Sequence, residues 1–289
     1  MTSRMSDSHA GHAAGADPTD SGPLFASILC AIDDTRTAHE AALQAAQMAA
    51  PDARLTYLSV PYRTGVGPRA MAEFSPDRAR EALDRAAREA KQLGVAAEAE
   101  LVEDPKANEV VLERAHRHDL LVLGAPVAPR HAGIVLGGMA TAAAHEADVP
   151  VLLARRPPAE HPFPSRIVVA SDGSDQSSFL VELAAELGRR HQGQVTLVHV
   201  REHEPDDIRH RLAEQATILQ ERLGVEPIVD TEPRPVHDAI VAAAQRDDAS
   251  LVVVGSRCLH GVRALGSVSE RVAHQAKCSV LILRPPAGD

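Results

Sequence analysis

The sequence predicts an α/β protein built as two tandem open parallel-sheet sandwiches, and two observations carry that prediction. Short apolar strands alternate with Ala-rich helical stretches along the chain, the pattern of parallel sheets covered on both faces. The same succession of segments is then written a second time. SILCAIDDT (27–35) matches RIVVASDGS (166–174), DLLVLGAP (119–126) matches SLVVVGSR (250–257), and VPVLLARRPP (149–158) matches CSVLILRPPA (278–287). The paired segments keep their order, so the chain is a tandem duplication of a unit of roughly 130 residues.

Composition agrees with this reading. A chain of 289 residues has room for two cores. It is 44% apolar but only 2% aromatic and has no tryptophan, so the interior must be made of Ala, Val, Leu and Ile. The net charge of -10 argues against a general affinity for nucleic acid or anionic lipid. No apolar run approaches the roughly 20 residues that cross a membrane. Three cysteines, Cys30, Cys258 and Cys278, form no disulfide framework and fit a reducing cytoplasm. The histidine pairs His9/His12 and His116/His118 lack metal-ligand spacing, and no metal site is expected.

Taken in order, residues 1–23 have no apolar h-region and are expected to be a disordered tail. The first unit covers 24–156. After its opening strand come the helical stretches TAHEAALQAAQMAA and SPDRAREALDRAAREAKQLG. A linker, 157–164, follows within RRPPAEHPFPS, whose prolines continue neither strand nor helix. The second unit covers 165–286. Its first helix, DQSSFLVELAAELGRRH, places Leu180, Leu183, Ala184 and Leu187 on one face. QVTLVHV, DIRHRLAEQATILQERLG, EPIVDT, PVHDAIVAAAQRD, SLVVVGS, SVSERVAHQA and SVLILR then alternate strand and helix to the end.

In such sheets ligands lie beyond the carboxyl ends of the strands. The strand-end acids Asp33 and Asp172 and the strand-end glycines Gly124 and Gly255 all belong to that edge. In GSRCLHGVRALGSVSE (255–270), Gly266 and Ser267 open a helix, whose free N–H groups suit a phosphate, with charge available from Arg257 or Arg263. Ser267-Val-Ser-Glu270 equally spells a capping box that needs no ligand. Asp172 is either an acceptor for a ribose hydroxyl or adenine amino group, or a turn residue before the helix. GVGPRA (65–70) has the spelling of a dinucleotide loop but follows the wrong strand and contains Pro68, so it is rejected. There is no G-x4-G-K-[ST] and no G-x-S-x-G elbow. His237 and Asp238 stand at a helix start without a nucleophile to serve.

The order of these pieces resembles the universal stress protein family in a tandem two-domain form, over about residues 24–286. The resemblance implies the fold of that family, adenine nucleotide alpha-hydrolase-like, with five parallel strands per unit and the last strand pairing two units. Nucleotide-binding members carry an acid after the first strand and G-x2-G-x9-G-[ST] after the fourth. The second unit keeps Asp172, Gly255, Gly266 and Ser267, and Val200 matches the position whose backbone faces adenine. Ser171, Arg257 and Val268 complete the implied binding set. This unit departs at Cys258, which replaces the second glycine, and in a spacer of seven residues to Gly266 instead of nine. The first unit keeps the long spacing from Gly124 to Gly137 but has Val127 for the second glycine, Gly138 for the hydroxyl residue and Asp34 after Asp33. It is expected to be degenerate, with its second carboxylate repelling a polyphosphate.

The function implied is a cytoplasmic stress-response protein, not an enzyme beyond weak ATP hydrolysis. It would bind ATP or AMP mainly in the second unit, the triphosphate with or without Mg, as a homo-oligomer or an intrachain pseudo-dimer. The alternative is a pseudo-dimeric scaffold that binds no nucleotide and acts by protein interaction.

Overall fold

The computed structural model describes residues 24–50, 52–64, 72–127, 136–157, 162–200, 206–223, 235–256, 258–259, 262–263 and 265–284. The first half runs β1 (Ser27–Ala31), α1 (Arg36–Met48), β2 (Arg54–Ser59), the short pair β3 (Tyr62–Thr64) and β4 (Ala72–Phe74), α2 (Pro76–Gln92), β5 (Ala97–Leu101), α3 (Ala107–Ala115), β6 (Leu120–Gly124), α4 (Gly138–Glu146) and β7 (Val151–Ala154). The second half runs β8 (Arg166–Ala170), α5 (Asp175–His191), β9 (Gln194–Val198), α6 (Asp206–Leu223), α7 (Val236–Arg246), β10 (Leu251–Gly255), the short pair β11 (Cys258–Leu259) and β12 (Val262–Arg263), α8 (Ser267–Gln275) and β13 (Ser279–Leu283).

Within each half the strands are parallel, in the order β5-β2-β1-β6-β7 and β13-β10-β8-β9. The halves join where β7 meets β13 in antiparallel register, with Val151 opposite Ile282, Leu152 opposite Leu281 and Leu153 opposite Val280. The last strands of the two units thus pair, as the family resemblance implies, and the two sheets run on as one nine-stranded sheet with a pseudo-two-fold axis between Leu152 and Leu281. The strand expected at 226–231, the rejected loop 65–70, the tail 1–23 and Arg257 lie outside the described residues. Phe163, inside the expected linker, is buried in the core and ties the junction down. The two hairpins, β3–β4 and β11–β12, are additions that the alternating pattern does not announce.

The sheet is buried on both faces. α1, α2, α5 and α6 cover one face and α3, α4, α7 and α8 the other. Alanine does much of the covering: Ala38, Ala41, Ala42, Ala45 and Ala46 form the inner side of α1. Small side chains let the helices lie close. At the end of β6 the approach is closest, because a Cβ on Gly124 would stand 2.5 Å from the backbone of Thr37. Only glycine fits there.

The seam between the halves is polar at its ends. Gln44, Arg155, Ser279 and Arg284 are all buried. Gln44 Nε2 donates to the Arg155 carbonyl at 2.7 Å, Ser279 Oγ donates to Gln44 Oε1 at 2.7 Å, and the Arg155 N–H donates to Ser279 Oγ at 3.0 Å.

Candidate functional site

The loop after β8 is held by local chemistry. The Asp172 carboxylate accepts the Ser174 N–H at 3.1 Å, and Ser174 caps α5 by accepting the Ser177 N–H at 3.2 Å. Gly173 sits at φ +72 between them, a conformation that glycine adopts without strain. The turn reading of Asp172 is therefore realised in this loop. Beneath it lies a buried polar cluster. Ser171 Oγ accepts the Gly173 N–H at 3.0 Å, donates to Gln215 Oε1 at 2.6 Å and lies 2.9 Å from Ser177 Oγ. His199 Nδ1 is 2.9 Å from the Ser171 carbonyl; since a carbonyl only accepts, this nitrogen carries the proton.

The capping box is not formed. α8 begins at Ser267, its N-cap is Gly266, and no side chain caps it. A box needs the serine at the N-cap, one position earlier than Ser267 stands. Ser267 is exposed at the first helical position, and Ser269 Oγ bonds instead to the carbonyl of Gly255 at the end of β10. The amino end of α8 therefore keeps backbone donors without a side-chain acceptor, together with the positive end of its dipole.

These segments enclose a cavity of about 230 Å³ at the carboxyl edge of the second half's strands. Ser171, Asp172, Val200, Gly255, Gly266, Ser267 and Val268 all line it, so seven of the eight residues singled out in the sequence meet in one place. Arg257 is the eighth and falls outside the described residues. Sequence reasoning missed Ser177, His199, Leu180 and Ile240, which also line the cavity. His199 was legible as the residue next to Val200 at a strand end; the others point inward only once the helices are placed. Among the described residues the cavity has one carboxylate, Asp172, and no cluster of His, Cys, Asp or Glu fit to hold a metal.

The first half differs from expectation in two respects. The Asp34 carboxylate pairs with Arg78 and does not line the local cavity, so it does not face a ligand there. Asp33 lines that cavity and accepts from Thr35 N–H at 2.9 Å and Thr35 Oγ1 at 2.6 Å. The cavity itself is the larger of the two, about 720 Å³. Gly137 and Gly138 open α4 with nothing within 4 Å of where their Cβ atoms would be, and Ile32 and Ala38 take the places held in the second half by the hydrogen-bonded Ser171 and Ser177. No side chain caps α4 either.

Comparison with known proteins is consistent across both halves. The model of the universal stress protein family matches residues 25–155 and again 164–284. Universal stress protein YxiE of Bacillus subtilis is 30% identical over 147 residues, 42% of this chain and 99% of its own length, so it corresponds to one half. A crystal structure of a universal stress protein from Archaeoglobus fulgidus covers 90% of this chain and 98% of its own at 20% identity, with a TM-score of 0.66, and shares the fold. A shorter structure from Archaeoglobus fulgidus, described as a universal stress protein in complex with dAMP, is 27% identical over 41% of this chain and 97% of its own, with a TM-score of 0.34.

Proposed function

Because the chain belongs to the universal stress protein family, we propose that it is a regulatory binding protein whose second half takes an adenine nucleotide. One observation carries the reading: residues from four separate segments, 171–172, 200, 255 and 266–268, converge on one cavity beside the uncapped amino end of α8. In this reading the Asp172 carboxylate and the backbone at Val200 face the nucleoside. The N–H groups of Ser267 and Val268, with the Ser267 hydroxyl, meet the phosphate. The cavity volume of about 230 Å³ lies below the roughly 300–1,000 Å³ of typical ligand pockets, which favours the monophosphate over the triphosphate. Among the described residues no nucleophile and base are paired at the cavity.

The scaffold reading has its own support in the β7–β13 seam, which joins the halves by direct strand pairing. Equilibrium titration of the full chain with AMP and ATP separates the two. Saturable binding that weakens about tenfold or more in Gly266→Val with Ser267→Ala, from loss of hydrogen bonds to a charged phosphate, is the expected result. No saturation below millimolar nucleotide leaves the scaffold.

A further inference from the structure

The last helix of each half is held at its carboxyl end by the other half. Arg155 follows β7 in the first half, yet its guanidinium donates to the carbonyls of Ala273, in the last turn of α8, and of Cys278. Arg284 follows β13 in the second half, and its guanidinium donates to the Ala144 carbonyl of α4 at 2.6 Å. Ala144 and Ala273 occupy the same position in the repeat, each just before a histidine. The two arginines are thus a reciprocal pair about the Leu152–Leu281 axis. A cation at this end complements the helix dipole and takes up carbonyls that the helix leaves unpaired.

The pair is not symmetric in its anchorage. The Arg155 backbone is bonded on one side to Gln44 of α1 and on the other to Ser279 of β13. The position equivalent to Gln44 in α5 is Leu183, and the one equivalent to Ser279 is Pro150, so those two side-chain bonds are not repeated at Arg284. A buried guanidinium is costly, and an apolar side chain of similar volume is often as stable or more so. Its presence here therefore calls for a use other than filling space.

We propose that Arg155 is a positioning residue of the second half's binding site, contributed by the first half. It rests on the nucleotide reading of that site. α8 is a nine-residue rod about 13 Å long, with Gly266, Ser267 and Val268 at the cavity and Ala273 at the guanidinium. A tilt of only about 5° at the held end moves the amino end by about 1 Å, enough to spoil an aligned set of donors. Arg155 fixes that tilt. The second site is complete only while the first half is docked against it, and the binding state of one half is felt at the seam. His145 of α4, 3.7 Å from Glu270 of α8, adds a second contact across the same boundary.

The reciprocal arginine supplies the control. Full-length protein carrying Arg155→Lys, and separately Arg284→Lys, is titrated with AMP by calorimetry, and amide exchange over 267–275 and 138–146 is followed without nucleotide. Lysine keeps the charge but not the planar fork that reaches two carbonyls. Arg155→Lys is expected to speed exchange in 267–275 and to weaken AMP about five- to tenfold, the range of a modest coupling. Arg284→Lys speeds exchange in 138–146 and leaves AMP affinity within about twofold. Equal weakening by both variants, or unchanged exchange across α8 in Arg155→Lys, overturns the proposal. Should Arg155→Lys fail to fold, Arg155→Met takes its place with the same readouts. If the wild type binds no AMP, the nucleotide reading falls, and the exchange experiment still decides whether Arg155 positions α8.

Discussion

Gly124 and Gly255 occupy the same place in the repeat, at the end of β6 and β10, but the space around them differs. At Gly124 an added Cβ would strike the backbone of Thr37 and Ala38 at 2.5–2.7 Å, and α1 would have to move. At Gly255 the nearest atoms are the δ-methyls of Leu180 at 3.3–3.5 Å, which can rotate aside. Gly124→Ala is therefore expected to cost about 2–3 kcal/mol and Gly255→Ala less than about 1 kcal/mol, measured by urea unfolding. Equal costs would show that the first half's glycine is not the tighter one. The sequence showed both as strand-end glycines at a ligand edge, and nothing in it separated the steric role from the binding role. Asp34 is a similar case. Its adjacency to Asp33 suggested a second charge in the cavity, whereas the partner that turns it away, Arg78, lies 44 residues later on α2. A pairing that depends on helix placement leaves no local mark.

The helix α8 shows how an element can match a motif and miss its geometry by one residue. S-x-x-E is present at 267–270, but the helix begins at the serine because Gly266 supplies the extended N-cap. An acidic N-cap is worth a few tenths of a kcal/mol over glycine and satisfies the donors at N2 and N3. Gly266→Asp should accordingly raise the melting temperature slightly while abolishing AMP binding, since a carboxylate then occupies the place of the phosphate. A variant that gains stability and binds AMP normally would move the anion away from α8. Strands and helices themselves were readable, because apolar runs and helical periodicity are local properties. The hairpins β3–β4 and β11–β12 were not. Each is two or three residues per strand, too short for a period to show.

At the scale of the whole molecule, the repeat in the sequence announced two units, and the pairing of their last strands was legible only through the family resemblance, since the β7–β13 register depends on side chains 129 positions apart, such as Leu152 and Leu281. Burial also sets the response to acid. Desolvation lowers the proton affinity of His274, opposed by Glu270 and reinforced by Arg155 and His145, and it lowers that of His191, reinforced by Arg190. The unfolded rings titrate at about 6.5 and bind the proton first, so stability is lost as pH falls through that value. Glu186, hydrogen-bonded by Arg189 and held at about 2, adds a loss at lower pH, as the carboxyl passes from its unfolded value toward that figure. The urea midpoint should be level from pH 8 to 7 and drop between about 6.5 and 5, and the drop should shrink in His191→Gln with His274→Gln. A wild-type midpoint level down to pH 5 would remove the histidines from the account.

Because β13 runs against β7, the strands of one half point up where those of the other point down. The two openings therefore look out from opposite poles of the molecule. A rigid body seated over one would therefore leave its counterpart uncovered.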